Sequence, residues 1–145
     1  MQAVPILLAE DDEDDQAIVQ RAFQKARFRS PVQIVENGDQ LMRYLRHEEP
    51  FEDRERYPKP GLILLDLNMP VMGGEEALAK IKADPALRHI PVVVLTTSDD
   101  QTGVNRCFEL GASTFITKPV TFNGFMHVVS ELQLYWFSLV ELPDD

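Results

Sequence analysis

Five short apolar runs, Ile6 to Ala9, Val32 to Val35, Leu62 to Leu65, Val92 to Leu95 and Thr114 to Thr117, recur along the chain and alternate with segments of helical period. Each run is brief and rich in β-branched or large aliphatic residues, as expected of a strand covered on both faces. Between them, apolar residues return every three or four positions. Ile18, Val19, Ala22, Phe23 and Ala26 mark one face of a first helix, and Leu41, Met42 and Leu45 of a second. Ala77, Leu78 and Ile81 mark a third, and Val104, Cys107 and Phe108 a fourth. A fifth helix is predicted from Thr121, as N-cap, to about Leu142, just before Pro143. Alternating βα units of this kind form a doubly wound α/β fold with a five-stranded parallel sheet. Right-handed crossovers give the flavodoxin-like strand order 2-1-3-4-5, with the ligand site at the carboxyl ends of the strands where the order reverses.

The length of 145 residues suits one domain spanning 1–145 with an extended C-terminal helix. No apolar run approaches the roughly 18 residues a membrane helix needs. The start Met1-Gln2-Ala3-Val4-Pro5 has no basic stretch of the kind that opens a secretory signal, so we expect a cytoplasmic protein. A net charge of -10 argues against direct binding to nucleic acid or to anionic lipid. The lone Cys107 sits among apolar residues and is read as a buried structural thiol. His47, His89 and His127 fall on different elements without metal-ligand spacing and are expected at the surface or at an interface. The charged, proline-bearing segment from Glu48 to Pro60 is expected to be a long surface loop.

Chemistry is therefore sought just beyond strands 1, 3, 4 and 5. Strand 1 runs into six consecutive acids, Glu10 to Asp15. Asp12 to Asp15 read as a solvated helix start, favoured by capping and by the helix dipole. Glu10 and Asp11 differ, because they leave a buried strand directly and paired carboxylates there are costly without a cation. Strand 3 runs into Asp66, followed by Asn68, Met69, Pro70 and Gly73-Gly74. If strands 1 and 3 are neighbours, three carboxylates share a pocket, and a hard divalent ion such as Mg²⁺ suits it. Strand 4 ends at Thr96-Thr97-Ser98, and strand 5 is followed by Lys118-Pro119. A threonine at a strand end is ordinarily just a good strand residue, and a lone lysine is ordinarily solvated. Together with the acids they make a carboxylate nucleophile, a metal, a hydroxyl and a cation around one point where a phosphoryl group could sit.

From Pro5 to about Leu139 these residues, in this order and spacing, resemble the response-regulator receiver domains, the CheY-like family of two-component phosphorelays. The resemblance implies that Asp66 is phosphorylated by a histidine kinase. It implies Mg²⁺ held by Asp11, Asp66 and the main-chain carbonyl of Asn68, with Glu10 acting mainly through water. Thr96 and Lys118 would hold the phosphoryl oxygens, the Lys118–Pro119 bond would be cis, and Thr96 and Phe115 would form the switch. Phe115 stands where many members have tyrosine, so it can report only by burial. The loop from Glu48 to Pro60, the stretch Leu64 to Gly74 and Tyr135-Trp136-Phe137 resemble in particular the stand-alone regulators paired with bacterial and cyanobacterial phytochromes. With the sequence ending at Asp145, no output domain is expected, and signalling would run through the face built from helix 4, strand 5 and helix 5.

On the fifth helix, Phe122, Phe125, Met126, Val129, Leu132 and Trp136 form a stripe suited to cover the sheet. Val128, Tyr135, Leu139 and Leu142 form a second stripe, which predicts a homodimer through this helix. Three rival readings fit the sequence less well. A phosphatase with an aspartate nucleophile needs a general acid where this chain has Asn68, so the chain is not expected to be an enzyme beyond slow autodephosphorylation. A flavin carrier would need a first loop that welcomes phosphate, and six acids repel one. A degenerate receiver serving only for docking or dimerisation is disfavoured by intact Asp66 and Lys118.

Overall fold

The structure, a computed structural model, describes residues 5–26, 32–96, 101–118 and 121–134, with the side chains of 96, 101–104, 133 and 134 left aside. Five βα units follow one another: β1 (Ile6–Ala9), α1 (Glu13–Lys25), β2 (Val32–Val35), α2 (Gly38–Leu45), β3 (Leu62–Asp66), α3 (Gly74–Ala83), β4 (Val92–Thr96), α4 (Gln101–Leu110), β5 (Thr114–Thr117) and α5 (Phe122–Leu134). The strands form one parallel sheet in the order 2-1-3-4-5. The predicted fold class and order are those observed. β3 and β4 each run one residue further than the apolar runs, because pairing continues from Asp66 to Leu95 and from Thr96 to Thr117.

Strand alternation sorts the core into two layers. Leu7, Ala9, Ile63, Leu65, Val92 and Val94 pack under α2, α3 and α4, which contribute Leu41, Leu45, Ala77, Leu78, Ile81 and Cys107. Ile6, Leu8, Leu62, Leu64, Val93 and Leu95 point to the other side, under Val19, Ala22 and Phe23 of α1 and Phe125, Val129 and Leu132 of α5. The central strands β1 and β3 are buried throughout, as two-sided coverage requires. The edge strands depart from the expectation of burial: β2 is half-buried over most of its length, and β5 alternates half-buried with exposed residues.

Two further expectations are corrected. Phe108 does not line the buried face of α4; it is 44% exposed and meets the likewise exposed Phe115 of β5 edge to face, with ring centroids 5.5 Å apart. The reason is the edge position of β5: among the described residues no further element covers the end of α4. Val128 is not free on a second stripe of α5 but half-buried against the layer under α1 and α5. Tyr135, Trp136, Leu139 and Leu142, and the expected helical stretch beyond Leu134, lie outside the described residues.

The segment between α2 and β3 is surface loop, as expected, yet it is tied down. Phe51 and Tyr57 pack on Tyr44 with ring centroids 5.3 and 5.8 Å away, and Tyr44 Oη donates to the Pro58 carbonyl at 2.9 Å. Cys107 is buried, His89 and His127 are exposed, and half-buried His47 meets the Tyr57 carbonyl through Nε2 at 3.0 Å. Among the described residues no helix is long and apolar enough to cross a membrane.

Candidate functional site

The sheet register brings the chemistry to one end. Ala9 pairs with Leu65, so Glu10 and Asp66, the next residue of each strand, emerge side by side. Both are buried, at 1% and 4% exposure, while Asp11 is exposed at the rim. Carboxylate oxygens of Glu10, Asp11 and Asp66 all lie within 4.8 Å of one another. β5, paired with β4, delivers Lys118 into the same space.

Lys118 Nζ lies 2.5 Å from Glu10 Oε2, 2.8 Å from Asp15 Oδ2 and 3.4 Å from Asp66 Oδ2. Glu10 Oε2 is itself buried, with that ammonium as its close neighbour. The other oxygen, Oε1, accepts from the Asp12 N–H at 3.0 Å. Asp66 Oδ1 accepts from the Asn68 N–H at 3.3 Å.

Burial dominates the acid–base behaviour of the pair. It pushes Glu10 up to about 7 against the pull of Lys118 and the Asp12 N–H, with the charge of Asp66 adding to the rise. Burial likewise raises Asp66, opposed by Lys118 and the Asn68 N–H. For Lys118 burial works downward, but hydrogen bonds to Asp15 and Glu10 and the charge of Asp66 outweigh it and hold the ammonium above its ordinary range. The site is thus short of positive charge, with several acids against one buried cation. The carboxylates of Glu10, Asp11 and Asp66, hard oxygen donors gathered around one point, fit a divalent cation.

The loop after Asp66 is compressed into position. The Gly74 N–H donates to the Leu67 carbonyl at 3.0 Å, and a Cβ on Gly74 would come within 2.5 Å of the Asp66 carbonyl oxygen. The Gly38 N–H at the start of α2 donates to the Met72 carbonyl at 2.9 Å. Between these ties Val71 adopts φ 68 with its side chain 83% exposed, while the Met72 N–H reaches the Pro70 carbonyl at 2.7 Å. A β-branched residue in this left-handed region is strained.

The structure brings Glu10, Asp11, Asp66 and Lys118 together, with the Asn68 N–H on Asp66. The Thr96 side chain and the Lys118–Pro119 peptide lie outside the described residues. Phe115 points outward, 37% exposed. Asp15 was assigned to a solvated helix start, and here the sequence reading is corrected: only 26% of its side chain is exposed, and it binds Lys118. Its place in the first turn of the helix that follows Glu10 and Asp11 was the available signal. Asp12 does play the expected part, accepting from the N–H groups of Asp14 and Asp15 as N-cap of α1.

Fold and site define a doubly wound α/β protein with a lysine-bridged carboxylate cluster at its topological switch point. The chain belongs to the response regulator receiver domain family, whose sequence pattern matches residues 6–130. Within that family it is similar to the response regulator Rcp1 of Synechocystis sp., 36% identical over 138 residues that cover 95% of this chain and 92% of that protein. The crystal structure of the phosphorylated cyanobacterial phytochrome response regulator RcpA superposes with a TM-score of 0.88 at 35% identity, covering 99% of this chain and 100% of that one. The Mn²⁺-bound form of Rcp1 superposes with a TM-score of 0.84 at 36% identity, covering 97% and 99%.

Proposed function

We propose that this chain is a phosphorylation switch in which Asp66 accepts a phosphoryl group from a histidine kinase of the phytochrome type. The observation that carries the reading is the burial of Asp66 at the carboxyl end of β3, beside Glu10, Asp11 and the Lys118 ammonium. An Asp66 carboxylate oxygen attacks phosphorus, the P–N bond to the kinase histidine breaks, and its electron pair returns to the imidazole. Phosphoryl transfer of this kind asks a protein for position and charge neutralisation more than for covalent chemistry. Lys118 would meet developing charge on the phosphoryl oxygens, with the Thr96 hydroxyl as second donor. Burial keeps water away from the acyl phosphate, and the Asn68 N–H orients the nucleophile.

Asp11, Asp66 and the Asn68 main-chain carbonyl would hold Mg²⁺, with Glu10 acting through water. Bound there, the ion neutralises charge on the transferred oxygens. The relatives named for phytochrome signalling and for a Mn²⁺-bound form support the choice of kinase class and of a divalent cation. Phe115, exposed beside Phe108, is poised on the α4–β5–α5 face to report the switch by a change in burial. A homodimer through the last helix remains part of the reading, resting on the apolar character of Tyr135, Leu139 and Leu142. Monomers in sedimentation at tens of micromolar, phosphorylated or not, would remove it.

The test of the switch is intact mass after incubation with acetyl phosphate and Mg²⁺. Wild type is expected to gain one phosphoryl group; Asp66→Asn, and wild type in EDTA, are expected to gain none. Labelling of Asp66→Asn to the wild-type extent would overturn the assignment.

A further inference from the structure

Asp15 stands apart from the acids around it. Asp12, Glu13 and Asp14 are exposed, as a solvated helix start requires. Asp15 is half-buried, and its Oδ2 lies 2.8 Å from Lys118 Nζ, which is itself only 13% exposed. Water therefore competes weakly for this pair. The side chain is also held at its base. The Asp15 N–H donates to Asp12 Oδ1 at 3.1 Å, and the next residue, Gln16, donates from Nε2 to the Glu10 carbonyl at 2.6 Å. The first turn of α1 is thereby locked to the end of β1, and the helix N-terminus favours the negative charge of Asp15.

Three carboxylates touch Lys118, and they are not equivalent. Glu10 and Asp66 belong to the cluster suited to a divalent cation, whereas Asp15 does not. A cation held by that cluster would compete with the ammonium for Glu10 and Asp66 but not for Asp15. A flexible lysine that loses two of three anions would gain rotamer freedom and leave the acceptor. We propose that Asp15 is a positioning residue that holds the Lys118 ammonium beside Asp66. It touches neither the phosphoryl group nor the cation, and acts through Lys118. The inference rests on the reading of Asp66 as phosphoacceptor only for its consequence in transfer, not for the contact itself.

The experiment uses the full chain with ¹⁵N-labelled lysine, reading the ε-ammonium resonance of Lys118 with and without Mg²⁺, assigned by its disappearance in Lys118→Arg. Asp15→Asn is expected to shift or broaden that resonance, most clearly with Mg²⁺ present. Asp14→Asn removes the same charge from the same turn without touching Lys118 and is expected to leave it in place, and Asp15→Glu is expected to recover it. In parallel, labelling of Asp66 by acetyl phosphate is expected to slow about fivefold in Asp15→Asn and to stay within about twofold in Asp14→Asn, as fits the loss of one partly buried ion pair. An unchanged Lys118 resonance in Asp15→Asn, or an equal change in Asp14→Asn, would overturn the proposal. Wild type that takes no label while its Lys118 resonance responds as described would sink the phosphoacceptor reading and leave the positioning role standing.

Discussion

Glu10 and Asp66 are charged groups almost removed from water, and their cost is offset by one buried ammonium. For metal-free protein this sets a pH dependence whose sign follows from the shifts. Glu10 is pushed up to about 7 in the fold from an ordinary 4.5, and Asp66 is raised as well, so the folded chain binds protons more tightly than the unfolded chain. Where the folded state binds more protons, stability falls as pH rises. The melting temperature in EDTA is expected to drop between the ordinary carboxylate range and neutrality, and Glu10→Gln is expected to flatten the dependence. A rise over that range in thermal unfolding would contradict it. Val71 offers a second residue-scale prediction. Its strained φ of 68 is coupled with a side chain that packs on little, so Val71→Asn is expected to stabilise the fold by about 1 kcal/mol in urea unfolding, since Asn tolerates the left-handed region. Destabilisation would mean that Val71 makes contacts its exposure conceals.

At the scale of elements, the site depends on how α1, α2 and α3 begin. The N-cap Asp12 fixes the turn that carries Asp15, and Asp12→Ala is expected to cost about 1 kcal/mol, with slower labelling of Asp66 beyond what the stability loss explains. α3 starts so close to β3 that Gly74 has no room for a methyl group: its Cβ would lie 2.5 Å from the Asp66 carbonyl oxygen and 2.7 Å from Leu67 Cα. Backbone cannot yield as a flexible side chain can, so Gly74→Ala is expected to cost about 2 kcal/mol or more by denaturant unfolding and to displace the end of β3. Unaltered stability would show that the loop relaxes. The loop before β3 is held by Tyr44, whose hydroxyl, pushed up to about 12 by burial, stays protonated and donates to Pro58. On the opposite edge Arg106 of α4 pairs with Glu75 of α3, fastening the helices that flank β4.

For the whole molecule, the excess of acid at one end of the sheet means that a bound cation and the fold support each other. A ligand that binds only the folded state at a hundredfold over its dissociation constant adds about 2.7 kcal/mol. Saturating Mg²⁺ is therefore expected to raise the melting temperature of wild type, and Asp11→Asn, which changes only an exposed rim carboxylate, is expected to lose most of that rise while keeping its stability in EDTA. An equal Mg²⁺ response in Asp11→Asn would remove that residue from the ligand set. At the same scale, the architecture was open to reading because a parallel sheet covered on both faces needs nearly continuous apolar strands. The runs at Ile6, Leu62 and Val92 satisfy that need in full, and the strand order then places Glu10 beside Asp66. What failed has a common cause. The exposure of Phe108 and the burial of Val128 depend on which element lies opposite, and periodicity along one helix carries no such information. By itself the sequence determined the five βα units, the strand ends that meet at the switch point and the residue types gathered there, because these follow from local pattern and from general rules of chain handedness. Only the tertiary structure decided that Asp15 joins the site and that Lys118 bridges three acids. Those contacts join Lys118 to residues 52 to 108 positions away, and their distances are settled by how the sheet pairs and how α1 docks on it.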